Sequence, residues 1–428
     1  TVGTVTNSGA MTNSGTLGAV TNTGTLTVTG ASQIGDLVNS GTYDATGLTL
    51  GSSGRNYTQT GTGITIIDGN KRYSTNGTAS LAGGIVVNNS PTAIGKYTYF
   101  TADSVSGKYD TLVTSAPGNY RLAYTPTAVQ LWLMPDNSVT QGQLNGLASN
   151  LSNMNALATS TTAGSINSDC GAFGEKGGCI SLNYGASKAG TGDLNTAGIT
   201  VSKSIDPNWR VGVFGNQQLN DPQVGNIKYT SKNPAVGVLV GWNETTDGTG
   251  LAVTASAVKG SGEYQIGSDR TGINTEAYQI KASYSKPLDM ETTVTPYAGL
   301  RQSKITVNGY TEKGPTFPLT IGNVNQTTVD LLAGATVSHK IKDDLVGTVS
   351  AGIVHNLSNS VDSARASSDM GNFSAPLSNS RYTSAAVGAG LNYSIDKDQK
   401  IGVNIGWQQK SLTNNNINSV GVSYTAGF

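Results

Sequence analysis

Charge is scarce in this sequence. Of 428 residues only 12% are charged, acids and bases number 26 each, and the net charge is zero. A nucleic-acid binder needs a basic face, so that class is excluded, and an ordinary cytosolic enzyme carries more charge than this. No apolar run approaches the ~18 residues of a membrane-crossing helix, and no charged-then-apolar leader opens the chain. Thr1 falls inside a repeat, so the chain reads as a processed or truncated product. Cysteine is limited to Cys170 and Cys179, histidine to His339 and His355. The cysteines match no zinc spacing and both histidines are distant in sequence, which leaves a disulfide in an oxidising compartment. Residues 1–135 contain no histidine, so no Ser–His–Asp triad can be assembled there, and G-x-S-x-G is absent. No catalytic residue, cofactor or metal set is expected.

Glycine, at 56 residues, is abundant, and Thr, Ser and Asn accompany it. In residues 1–50 Asn-Ser-Gly or Asn-Thr-Gly recurs at 7, 13, 22 and 39, flanked by Val, Leu, Met or Tyr at strand spacing. Glycine supplies the positive φ of turns and Asn tolerates it. Short apolar strands between such turns, stacked coil on coil with Asn and Thr ladders, predict a right-handed parallel β-helix. A Gly/Ser/Thr-rich linker would waste the recurring aliphatics. Residues 81–135 turn apolar and aromatic, with strands about ten residues apart, and Tyr99, Phe100 and Trp132 read as core or capping rings.

Between Asp136 and Asp169 no charged residue occurs. Ser138 followed by Gln141 reads as a capping box. Leu144, Leu147, Ala148, Leu151, Met154 and Ala158 then recur at helical spacing amid Asn, Ser, Gln and Thr. Roughly twenty helical residues span ~30 Å, a bilayer's hydrocarbon thickness, yet the surface is too polar for lipid. A polar, uncharged helix of that length fits the inside of a barrel.

From residue 178 onward, alternation of apolar and polar residues predicts twelve strands: 178–190, 193–205, 209–220, 229–243, 250–262, 274–288, 291–305, 324–341, 344–357, 379–395, 399–411 and 416–428. Short turns are expected near Asp206–Asn208, Glu244–Gly248, Leu288–Met290, Lys342–Asp343 and Asp396–Asp398. Long loops are expected at 263–273, 306–323 and 358–378. Short turns at one rim and long loops at the other, with an even strand count, follow the outer-membrane rule. His339 and His355 fall on the apolar, lipid-facing phase. Lys281, Arg301 and Asp330 fall on the inward phase of neighbouring strands, where an Arg301–Asp330 pair is expected.

A repeat-built β-helix, an aromatic terminal segment, a polar helix and a twelve-stranded barrel ending in Phe428 together resemble the monomeric autotransporters of Gram-negative bacteria (type V secretion). VTPYAGLRQSKITVNGYTEKG (294–314) and SVGVSYTAGF (419–428) are similar to their barrel; FTADSVSGKYDTL with NYRLAYTPTAVQLWL is similar to the end of their passenger. The resemblance implies an outer-membrane barrel (178–428) that anchors and helps translocate a passenger (1–135). It further implies a segment (85–135) that assists passenger folding outside the cell, and a helix with linker (136–177) in the lumen. Periplasmic chaperones and the barrel assembly machinery are the implied partners in biogenesis, the latter reading Val420, Val422, Tyr424 and Phe428. Some relatives cut themselves at an Asn–Asn pair in the lumen helix; here Asn145, Asn150, Asn153 and Asn155 stand singly.

The expected fold is therefore all-β with one lumen helix, a monomer in outer-membrane lipid with residues 1–135 extracellular. Its passenger is expected to be non-enzymatic and adhesive, suited to a cell-surface or glycan ligand. The competing readings are a stalk for a missing N-terminal enzymatic or binding head, a plugged porin, and a barrel hydrolase.

Overall fold

The computed structural model describes residues 2–49, 53–167, 169–189, 192–377, 383–409 and 416–428. Two compact units divide the chain: Thr1–Thr140 with Gly314–Phe317, and Gln141–Lys313 with Pro318–Phe428.

The first unit is a stack of parallel coils. One sheet runs Val5–Asn7, Val20–Asn22, Leu37–Asn39, Tyr57–Gln59, Thr78–Leu81 and Ser104–Gly107; a second runs Ala10–Asn13, Thr25–Gly30, Thr42–Leu48, Ile64–Asp68, Gly84–Asn88 and Thr111–Thr114. Alternation turns Leu17, Val20, Leu26, Val28 and Leu37 inward, all under 5% exposed. The Asn of each Asn-Ser/Thr-Gly unit also turns inward: Asn7 Nδ2 donates to Asn22 Oδ1 and Asn22 Nδ2 to Asn39 Oδ1, both at 2.7 Å. An amide side chain carries donor and acceptor together, so identical residues one coil apart pair without a buried orphan. The coils lengthen, 15 residues between Asn7 and Asn22 and 17 between Asn22 and Asn39, which is why the sequence period is irregular.

Two of the glycines of these units, Gly24 and Gly41, serve a different purpose from the expected one. Gly24 and Gly41 do not adopt the left-handed conformation. Instead a Cβ on Gly24 would stand 2.1 Å from the Gly9 carbonyl oxygen, and one on Gly41 would stand 2.2 Å from that of Gly24. At these two positions close backbone approach between coils, not turn geometry, demands glycine; a Cβ on Gly9 would have open space instead, and one on Gly15 would meet only Asn13 Oδ1 at 4.0 Å. The stack ends where Ala128–Met134 pairs antiparallel with both Gly95–Thr101 and Asn119–Thr125. Tyr99 is buried there, whereas Trp132 is part-exposed with Lys96 Nζ 4.2 Å from its ring centroid.

The second unit is a closed antiparallel barrel of twelve strands. They are β1 (Gly178–Ala189), β2 (Gly192–Ser204), β3 (Trp209–Gln218), β4 (Ala235–Asn243), β5 (Gly250–Ile266), β6 (Asp269–Pro287), β7 (Thr292–Val307), β8 (Val324–Lys342), β9 (Leu345–Val361), β10 (Thr383–Ser394), β11 (Gln399–Gln408) and β12 (Ile417–Gly427). Each pairs with its sequence neighbours, and β1 pairs with β12 from Cys179↔Gly427 to Ala189↔Ile417, which closes the ring. The outward phase is apolar and uncovered, as in Val238 (55%), Ile280 (52%), Ile405 (58%) and Val420 (50%). Trp209, Tyr284, Tyr393, Tyr424 and Phe428 lie outward toward the short-turn rim, where aromatics favour the lipid–water interface.

Three expectations need correction. Residues 263–273 are not a loop: β5 and β6 run on to a turn at Gly267 and Ser268, because Tyr264, Ile266 and Ile273 continue the inward apolar phase. The strand expected over 229–243 is two pieces, Ile227–Ser231 and β4, broken just before Ala235 at Pro234, which has no N–H to give the ladder. The loops 306–323 and 358–378 carry structure: Tyr310–Thr311, Thr320–Ile321, Ala364–Ser368 and Gly371–Ala375 form a small sheet. The expected strand ends at 190, 379–382 and 410–411 lie outside the described residues.

Candidate functional site

The lumen is occupied by a helix, α1 (Asn137–Ser165), of 29 residues. At 1.5 Å per residue it is about 43 Å long, more than the membrane requires. Its N-cap is Asp136, whose Oδ1 accepts the Ser138 N–H at 2.8 Å. The Ser138–Gln141 capping box does not form, because Gln141 Nε2 instead donates to Asn145 Oδ1 and to the Ser374 carbonyl, both at 2.9 Å.

The helix meets two environments. Its residues up to Ala158 lie among the long-loop ends of the wall. Leu144, Leu151, Met154 and Leu157, each at most 1% exposed, pack with Tyr264, Ile273 and Ile305 of the overshooting strands and with Leu319, Ile321, Ala364 and Leu377 of the outer loops. Full burial of such side chains contributes about 1.5–3 kcal/mol each. The polar face is satisfied internally: Ser152 Oγ donates to the Ala148 carbonyl (2.9 Å), Thr159 Oγ1 to that of Asn155 (2.8 Å) and Thr162 Oγ1 to that of Ala158 (3.0 Å). Asn155, fully buried, accepts from the Tyr264 hydroxyl at 3.0 Å and donates to Gln326 Oε1 at 3.3 Å.

Beyond the helix the chain descends to the short-turn rim. Ile166 packs on Phe214, Leu239, Val258 and Ala277, and its carbonyl accepts Ser256 Oγ at 3.1 Å. Asn167 Oδ1 accepts Gln279 Nε2 at 2.9 Å. Asp169 holds Arg210, Oδ2 to Nη2 at 2.6 Å and Oδ1 to Nε at 3.3 Å, while Arg210 Nη1 donates to Asn243 Oδ1 at 3.0 Å. Next in sequence, Cys170 is disulfide-bonded to Cys179 at the start of β1, with Cα atoms 6.0 Å apart.

The three lumen charges separate into two places. Arg301 and Asp330 are register partners on β7 and β8 and form an ion pair, Nη2 to Oδ2 at 3.0 Å. Asn356 Nδ2 donates to the other carboxylate oxygen at 3.0 Å. Lys281, nearer the short-turn end of β6, instead carries its ammonium 5.9 Å from the Tyr297 ring centroid. Sequence reasoning missed the Asp169–Arg210 clamp and the Tyr264–Asn155–Gln326 relay. For the clamp a signal existed, since Asp169 is the first charge after the uncharged segment and Arg210 has the inward phase of β3.

The helix does not fill the barrel. A cavity of about 610 Å³ remains beside it, lined by Ala156, Thr159 and Asn167 on the helix side and by Ser181, Asn183, Asn404, Ser423 and Thr425 on the wall, with Arg301 and Asp330 at its margin. His339 and His355 face outward, their Nδ1 atoms 3.1 Å from Thr292 Oγ1 and 2.7 Å from Thr383 Oγ1. Among the described residues no cluster of His, Cys, Asp or Glu could hold a metal ion.

Residues 171–406 match the family model described as the autotransporter β-domain. Similar solved structures include the translocator domain of the autotransporter NalP from Neisseria meningitidis (12% identity, TM-score 0.46, covering 67% of this chain and 99% of that one). The transport unit of the autotransporter AIDA-I from Escherichia coli is 14% identical with TM-score 0.43, over 65% of this chain and 99% of that one. The β domain of the Bordetella autotransporter BrkA is 12% identical with TM-score 0.37, over 59% and 99%. Comparison with curated proteins returns no match.

Proposed function

The chain belongs to the autotransporter family and its barrel is an outer-membrane translocator unit; on that premise we propose that residues 1–135 are its passenger, an extracellular, non-enzymatic surface for adhesion. The observation that carries this reading is the coil stack itself. In one sheet Thr6, Thr21, Val38, Thr58, Ser80 and Ser106 occupy successive register positions, one per coil, and Thr21, Val38, Thr58 and Ser80 point outward between buried neighbours. At ~4.8 Å between strands, this is a neutral ladder, hydroxyl-bearing at every position but Val38, suited to a glycan or to another cell-surface protein. The absence of histidine from residues 1–135 further supports a binding rather than a hydrolytic role.

The remaining partners follow from the same reading. Lipid covers the apolar outward phase; periplasmic chaperones carry the unfolded chain; the barrel assembly machinery engages the terminal strand through Val420, Val422, Tyr424 and Phe428, all on that outward phase. The test is expression of residues 1–428 in a non-adherent strain, scored for aggregation and surface attachment against the barrel from Asp136 onward. Attachment by the longer chain alone is the expected result. Equal scores would leave these coils a stalk.

A further inference from the structure

The junction between β1 and β12 differs from the other eleven of the barrel. Every other pair joins strands adjacent in sequence, whereas this one joins the ends of the domain, so no short connection restrains it. A loop lies across it at the short-turn rim: the ring closed by Cys170 and Cys179, nine positions apart.

That ring grips the terminal strand by a contact only glycine permits. A Cβ on Gly174 would stand 2.4 Å from the Phe428 nitrogen, and one on Gly427 would stand 2.4 Å from the Gly174 nitrogen, so the two backbones touch with no side chain between them. Phe428 exchanges main-chain bonds with Gly178, N–H to carbonyl at 3.0 Å and carbonyl from N–H at 2.9 Å. Its ring lies over Gly178, where a Cβ would meet Cε2 at 2.5 Å. The same loop is tied on either flank of the junction. On the β2 side the Gly177 carbonyl accepts the Ser204 N–H at 2.8 Å and the Lys176 carbonyl accepts Lys203 Nζ. On the β11 side Glu175 Oε1 meets Lys397 Nζ at 3.0 Å.

We propose that the Cys170–Cys179 ring is a seam latch, which locks the β1–β12 junction by seating the backbone of Gly427 and Phe428 in a cradle formed by Gly174 and Gly178. The disulfide folds the loop back onto β1; without it, the Asp169–Arg210 clamp still holds the loop's entry to the wall, but across the junction itself the described contacts are hydrogen bonds and the exposed Glu175–Lys397 pair, and such exposed pairs contribute little. The cradle exists only when β12 lies beside β1, so the latch engages last, after the ring of strands is complete. Local opening of the barrel then begins at this junction when the latch is missing.

The experiment is amide hydrogen exchange on the folded full chain in detergent, comparing wild type with Cys170→Ser/Cys179→Ser and with Gly174→Val. Exchange in β1 and β12 should accelerate about tenfold or more in both variants, while β5 and β6, joined by a two-residue turn, keep the wild-type rate. Gly174→Val retains both cysteines and blocks only the cradle, so it decides the matter if the double variant does not fold. Unchanged exchange in β1 and β12 would overturn the latch. Uniform acceleration around the barrel would overturn it too, leaving the disulfide a general staple. Acceleration in the serine variant but not in Gly174→Val would remove the cradle as the gripping contact.

Discussion

Asp330 has both carboxylate oxygens engaged, by Arg301 and by Asn356, with its side chain only 5% exposed. Asp330→Ala leaves the Arg301 charge in the wall without a partner, and one-sided removal from a buried pair costs about 3–5 kcal/mol. The water-accessible cavity beside it reduces this to on the order of 1–3 kcal/mol. Urea unfolding of the folded chain in detergent should show that loss, with Asp330→Asn losing less; an unchanged midpoint would make the pair a hydrated bystander. The tyrosines of the coil stack give a pH prediction. Burial raises the phenols of Tyr43, Tyr57, Tyr99 and Tyr109 well above their ordinary value and that of Tyr73 to about 12. The folded state therefore keeps protons that the unfolded chain releases near pH 10. Stability from this source is complete below pH 10 and falls as pH rises toward 12. Phenolate absorbance of the intact chain should rise in two phases, the later one coinciding with loss of protease resistance in residues 1–135. A single phase near pH 10 with that resistance intact would contradict it. One residue-scale signal was legible but unused. Asp206, Asp289 and Asp396 each follow Ile or Leu, and each Oδ1 accepts two backbone N–H groups of its turn at 2.7–2.8 Å.

Among the elements, the helix α1 joins sequence pattern most directly to function. Its apolar stripe and its lack of charge were both readable, and both are used: the stripe against the outer hairpins, the hydroxyls and amides inside the lumen. The partners of the stripe were not readable, since Tyr264, Ile273 and Ile305 belong to strands that outrun the membrane, and alternation alone does not say where lipid ends. Deleting residues 138–160 should raise single-channel conductance in planar bilayers, because it joins the helix volume to the 610 Å³ already open. Equal conductance would mean that outer loops, not the helix, limit the path. Asn155→Leu is a milder probe. It strands the Tyr264 hydroxyl and Gln326 in a dry contact and should cost about 1–3 kcal/mol of thermal or urea stability.

At the scale of the whole chain, the alternation of connection lengths carries the topology. The turns at Asp206, Asp289 and Asp396 share a rim with the disulfide, while the Tyr310–Thr311, Thr320–Ile321 and Ala364–Ala375 segments stand at the other rim. Protease added to intact cells should reach only the long-loop rim; cleavage near Asp206 or Asp343 would invert the barrel.

Strand number, facing and membrane address were determined by the sequence alone, because a barrel wall between lipid and lumen imposes period two on every strand, and local alternation survives without knowledge of partners. The Asn ladder was legible for the same reason: identical residues stack on identical residues. What only the tertiary structure decided are the contacts whose two halves lie far apart in the chain and obey no period. The Asp169–Arg210 clamp, the fitting of Asn155 between Tyr264 and Gln326, and the backbone contact of Gly174 with Gly427 are of this kind. Each depends on closure of the ring, which brings the last strand to the first and leaves the helix no volume but the lumen.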